Sequence, residues 1–111
     1  MIEETILNYL KFQLSVDVFM QEPETKPDSY VLMEKTGSDR KNGLNASTFA
    51  FQSYGQSLYA AAALNELTKA SVDGLIALKS IASVNLNTDY NFTDTTTKRY
   101  RYQAVYDIKH Y

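Results

Sequence analysis

The chain has 111 residues, 44% of them hydrophobic and 22% charged, a balance that suits one soluble domain with a single modest core. A net charge of −2 excludes a surface built throughout for nucleic acid. The absence of cysteine excludes disulfides, thiolate metal sites and cysteine nucleophiles.

No apolar run is long enough to span a bilayer, and the start, MIEETILNYL, lacks the basic-then-apolar profile of a signal peptide. A cytoplasmic origin is the expectation. Nine tyrosines stand against no tryptophan, and tyrosine suits half-exposed sheet faces and interfaces because it buries a ring while keeping a polar tip.

Ile2–Leu14 reads as an amphipathic helix, with Ile6, Leu7, Leu10 and Leu14 on one face and Glu3 and Glu4 placed to suit the dipole. Val16–Met20 alternates as a short strand. Gln21–Asp28 carries both prolines and reads as a loop. Tyr30–Thr36 is a second strand, and Ser47–Ser53 a third with Phe49 and Phe51 on one face. Between them Gly37–Ala46 (GSDRKNGLNA) reads as a polar, flexible loop too long for a tight hairpin.

Gly55–Gly74 announces the long helix of the chain. Ser57 is its N-cap, Ala60 to Ala63 its strongest helix formers, Leu64 and Leu67 its apolar spacing, and Gly74 its left-handed end. Four successive alanines make it thin enough to lie close on a sheet. Leu75–Leu78 adds a short helical turn, Ile81–Tyr90 a fourth strand, and Asn91–Thr96 a polar turn.

Thr97–Ile108 closes the chain as a fifth strand. Its alternation puts Tyr100, Tyr102, Ala104, Tyr106 and Ile108 on a core face, and Arg99, Arg101, Gln103, Asp107 and Lys109 on a wet face. The expected fold is α+β in the order α-β-β-β-α-β-β, a mostly antiparallel sheet with helices packed on one face, in one domain spanning 1–111.

Enzymatic signals are weak. His110 is the only histidine and lies at a terminus expected to fray. The glycines are too scattered for a phosphate loop, and Asp89 and Asp94 lack the dense oxygens and glycine bend of a calcium loop. No catalytic residue, metal or cofactor is expected. Lys98-Arg99-Tyr100-Arg101-Tyr102 mixes basic and aromatic residues as nucleic-acid elements do, but alternation sends its arginines and tyrosines to opposite faces.

Together these segments resemble the tail terminator (tail-to-head joining, minor tail) proteins of long-tailed bacteriophages. The resemblance runs through the N-terminal helix, VDVFMQEPETKP, YVLMEKTG, FAFQSYGQSLYAAAALNEL and SVNLNTDYNFTDTTTKRYRYQAVYDI in that order, and covers essentially the whole chain. It implies a non-enzymatic ring, a hexamer when assembled, that caps the tail tube, stops its polymerisation and joins tail to head. Tail tube protein and head–tail connector would be its partners, DNA only passing cargo, and the virion's tail–head junction its place after assembly in the bacterial cytoplasm.

On this reading Arg99, Arg101 and Lys109 line the wet face and make ring or partner contacts, while Asp39, Arg40 and Lys41 meet a partner ring. Reversing Arg99 and Arg101 to glutamate is then expected to block assembly and leave the subunit folded. The alternatives are a neck adaptor or head-closure protein of similar size, and a small monomeric module binding nucleic acid or carbohydrate through exposed tyrosines.

Overall fold

Helical spacing and strict alternation divide the chain in the predicted order, and the computed structural model describes all 111 residues. The elements are α1 (Ile2–Gln13), β1 (Asp17–Phe19), β2 (Tyr30–Lys41), β3 (Leu44–Gly55), α2 (Leu58–Asp73), a 3₁₀ turn (Gly74–Ala77), β4 (Ile81–Asn91) and β5 (Tyr100–His110). The five strands form one sheet in the order β1-β2-β3-β5-β4. Only β1 runs parallel to its neighbour β2; every other pairing is antiparallel. This is the expected α+β architecture.

Both helices pack on one face of the sheet. Ile6 and Leu10 of α1 and Leu64 and Val72 of α2 share a buried cluster with Val31, Met33, Phe49, Phe51, Ala104, Tyr106 and Ile108. Those sheet residues alternate along their strands and share one side through the observed register. The Ser57 side chain accepts a hydrogen bond from the Ala60 N–H at 3.0 Å, which fixes where α2 begins. Ala61 is fully buried, so the alanine run does let helix and sheet approach closely. Leu67, by contrast, is 60% exposed. The buried side of α2 is Ala61, Leu64, Asn65, Thr68 and Val72.

Tyr106 sits at the centre of this layer. Its ring meets Phe51 edge-on at 5.9 Å, and its hydroxyl donates to Asp73 at the end of α2. Burial, reinforced by the Asp73 carboxylate, raises the pKa of this phenol, so it remains a neutral donor.

Three expectations about local structure are corrected. Residues 37–46 are not a loop: β2 runs to Lys41 and β3 starts at Leu44, leaving Asn42-Gly43 as a two-residue turn. Both turn residues take positive φ, 54° and 80°, the geometry that Asn-Gly favours between twisted strands. Gly74 does not adopt the left-handed conformation; its φ of −66° lets α2 run straight into the 3₁₀ turn. Strand β5 begins at Tyr100 rather than Thr97. Asp94 accepts from the N–H groups of Thr96 and Thr97, and Lys98 takes a positive φ of 55°, so those residues belong to the β4–β5 turn.

The hairpin turn supplies a direct test. A Cβ on Gly43 would meet nothing within 4 Å, so any cost of Gly43→Ala is conformational. We expect about 1 kcal/mol of destabilisation, read as a melting temperature lower by about 5 °C.

Candidate interaction site on the helix-free sheet face

On the face away from the helices, the register aligns Tyr30 of β2, Tyr54 of β3 and Arg101 of β5 across three strands. The two phenol rings stack, with centroids 4.4 Å apart and planes within 9°. Phe19 of β1 meets Tyr30 edge-on at 5.8 Å. Arg101 donates through Nη1 to the Tyr54 hydroxyl (2.9 Å) and through Nε to the Phe92 carbonyl (2.7 Å), and its guanidinium lies 4.3 Å from the Phe92 ring centroid. Arg99 lies 4.8 Å from the Tyr54 centroid and donates through Nη2 to both the Glu22 carboxylate and the Tyr30 hydroxyl. Tyr30 also donates to Glu22.

The network continues across the sheet. Tyr54 donates to the Gln52 side-chain oxygen at 3.0 Å, Gln52 to Gln103 at 2.8 Å, and Gln103 to the Tyr90 hydroxyl. With their polar tips satisfied, Tyr30 and Tyr54 are 2% and 4% exposed although no helix covers them. Residues 20–29, which link β1 to β2, bring Glu22 over this end of the sheet.

This arrangement corrects the picture of a free arginine row. Alternation does separate Arg99 and Arg101 from Tyr100 and Tyr102, but other tyrosines occupy the arginines' face. Arg99 and Arg101 are therefore half-buried and bonded within the chain. Nothing in the local pattern of β5 reports Tyr30, Tyr54 and Glu22, because all three come from distant sequence.

The other predicted contact residues lie elsewhere. Lys109 is eight positions along β5 from Arg101, about 27 Å at ~3.4 Å per residue. There Asp39, Lys41, Asn42, Leu44, Ala46 and Lys109 line a shallow depression of about 260 Å³. Arg40 alternates to the opposite face. None of the chain's ion pairs engages Asp39, Arg40, Lys41 or Lys109. The six residues thus divide into a bonded pair, a trio without ion pairs and Arg40 on the other face.

A second polar cluster joins α2 to β4. Asp89 accepts from Lys69 Nζ and from Asn65 Nδ2, both at 2.9 Å, and Lys69 also pairs with Glu66 at 2.7 Å. Asp89 is tied to the helix while Asp94 caps its own turn, so the two do not converge. No group of three or more His, Cys, Asp or Glu side chains comes together in a metal-binding arrangement. His110 is not frayed: it is the last paired residue of β5, and its Nε2 lies 3.1 Å from the Ser47 hydroxyl. Ser47 is 3% exposed, and no carboxylate bonds the imidazole, so this contact lacks the oriented base and open nucleophile of a catalytic pair. No helix is long and apolar enough to cross a membrane.

The two clusters set an acid limit. The Lys69 hydrogen bond holds Asp89 below its usual 3.8, against some opposition from burial. For Glu22, burial acts to raise the value, but the bonds to Tyr30 and Arg99 outweigh it and hold it below 4.5. Both carboxyls are more acidic folded than unfolded. Their stabilisation is complete above the unfolded values and is lost as pH falls through the lowered ones. Thermal unfolding between neutral pH and about pH 2 should show a falling melting temperature on the acid side, less steep in Glu22→Gln.

No protein-family model and no curated protein sequence matches this chain.

Proposed function

We propose that the chain is a non-enzymatic structural protein of a long-tailed bacteriophage or prophage, a tail terminator that forms a ring on the tail tube, stops its growth and joins tail to head. The resemblance along the chain motivates the reading, and one observation carries it physically: the sheet ends in two long, unlike and unpaired edges. On one side β1 covers only Tyr30, Val31 and Leu32, leaving the outer edge of residues 33–41 open. On the other, nothing pairs with the outer edge of β4.

Open edges invite pairing with another chain, and proteins that must stay apart usually blunt them with charges or proline. β4 has no proline and a single charged residue, Asp89, which is turned to α2. Bulges at Ala82 and Asn87 bend this edge and leave Ser83–Leu86 as its regular segment. Beyond its own bulge at Thr36, β2 offers the regular segment Gly37–Lys41, rich in charge. Two different edges meeting head to tail make a heterologous contact, which closes into a ring when the rotation allows. Asp39 and Lys41, on the β2 edge, would then contact a neighbouring subunit, and Lys109, two strands inward on the same face, a partner ring.

The binding-module alternative requires tyrosines exposed side by side. Tyr30, Tyr54 and Tyr106 are instead buried, and the most exposed, Tyr59 and Tyr111, belong to different parts of the chain.

The test is polymerisation of the tail tube protein encoded in the same phage or prophage genome, with and without this chain. The reading predicts short tubes of limited length with a ring at one end. An unchanged length distribution with bare ends would overturn it, and a ring found only on head connectors would favour the neck-adaptor alternative.

A further inference from the structure

The strap of residues 20–29 is hydrogen-bonded to the sheet through one side chain. Neither its backbone nor any other of its side chains makes a hydrogen bond to the sheet; only Glu22 does, to Tyr30 and Arg99. The Glu22 side chain is 35% exposed, and an ion pair so open to water contributes little and exchanges readily. Beside it lies a depression of about 300 Å³ lined by Lys26, Asp28, Tyr30, Tyr54, Lys98 and Arg99 among others. Lys26 and Lys98 have no ion pair of their own. The structure thus contains a guanidinium and a phenol that hold the chain's own carboxylate, and, on the depression that Arg99 and Tyr30 also line, two ammonium groups without an ion pair.

We infer that Arg99, Tyr30, Lys26 and Lys98 form a docking site for an acidic segment of a partner protein, and that Glu22 fills this site in the free subunit until a partner carboxylate displaces it. The chemistry favours a carboxylate over a phosphate because the occupant present is one. Glu22 Oε1 accepts from both the guanidinium and the phenol, and the site's cations are balanced in part by Asp28 and Glu22, which would repel a dianion more strongly than a single negative charge. An extended segment fits better than a globular face, because the rim lysines sit on two separate loops, residues 20–29 and the β4–β5 turn. Displacement breaks the strap's hydrogen bonds to the sheet, and Lys26, on the same strap, then holds it to the bound segment, so binding and the loss of the Glu22 contacts are one event. This inference is independent of the tail-terminator reading.

The test uses a synthetic hexaglutamate peptide titrated into the whole protein, followed by backbone and arginine side-chain NMR shifts and by calorimetry. Glu22→Gln removes the competing charge and is expected to bind the peptide about tenfold more tightly, as it would if the wild-type site were open about one-tenth of the time. Lys26→Ala with Lys98→Ala, two exposed positions outside the core, is expected to weaken binding by at least about tenfold, in line with the loss of two charge-assisted contacts. The inference fails if Glu22→Gln binds no better than wild type, or if the peptide leaves the Arg99 resonances unmoved. It fails too if inorganic phosphate binds as tightly with the same dependence on Glu22, which would make this a general anion site. Should Glu22→Gln not fold, the double lysine variant decides: unchanged peptide affinity overturns the inference and a tenfold loss supports it.

Discussion

Replacing Tyr106 by alanine is expected to lower the unfolding free energy by about 4 kcal/mol, in the middle of the range for truncating a buried aromatic. The side chain is fully buried, meets Phe51 edge-on and links β5 to the end of α2 through Asp73. Its loss leaves a cavity between helix and sheet that neither can close without breaking strand register. For a domain of this size the total is about 5–15 kcal/mol, so the variant should be partly unfolded on mild heating. Tyr106→Phe separates the ring from the hydroxyl. It keeps the packing and loses the hydroxyl's contacts to the exposed Asp73 carboxylate and the Lys69 carbonyl, with an expected cost of about 1 kcal/mol. Urea unfolding checks both: the midpoint should fall strongly for alanine and slightly for phenylalanine, with the slope unchanged in each.

The second large effect falls on Arg99→Glu combined with Arg101→Glu. Were these guanidiniums free, the double reversal would spare the fold. The structure gives the opposite expectation. Arg99 neutralises Glu22 and bonds Tyr30, while Arg101 bonds Tyr54 and the Phe92 carbonyl. Reversal would set new carboxylates beside Glu22 and the stacked phenols, and would remove donors from a nearly closed network. We expect about 2–3 kcal/mol of destabilisation, the scale of losing hydrogen bonds to charged groups, discounted because Arg99 and Glu22 are partly hydrated. Restoring one contact by adding Glu22→Lys should recover part of the loss. Lys109→Glu, at the far end of the same face, should leave the melting temperature within a degree or two because that charge is exposed and unpaired.

The contrast shows what the sequence carried and what it did not. Local periods sufficed for α1, α2, the Phe49/Phe51 pair and the alternation of β5, because each is set by neighbours a few residues away. The hairpin was also written locally, in Asn42-Gly43, but the polar run around it suggested a loop. Even with that turn recognised, counting outward pairs Tyr30 with Gly55. The bulge at Thr36 shifts the register by one and brings Tyr30 onto Tyr54, and nothing in the residue pattern marks that extra residue. The Tyr30–Tyr54 stack therefore follows from a bulge, and the bonds of Arg99 and Arg101 follow from the stack. Glu22 lies in a proline-containing strap whose path is set by the parallel crossover between β1 and β2, again beyond local reach. The trio Asp39, Lys41 and Lys109 was picked out as charged; that it gathers at one end of the sheet, with Arg40 on the other side, depends on the register of three strands.

If unlike sheet edges join neighbouring copies, the absence of cysteine from the chain makes the joint directly measurable. Asp39→Cys places a thiol on the open edge of β2, and Asn85→Cys one on the open edge of β4, both at exposed positions on the helix-free face, as a bridge across a continuous sheet requires. Oxidation of the doubly substituted protein assembled on tail tubes should give a ladder of disulfide-linked multimers ending at the closed ring, with neither single variant extending beyond a dimer. Rings that form normally yet yield no ladder, or no rings at all, would contradict the edge-to-edge assembly.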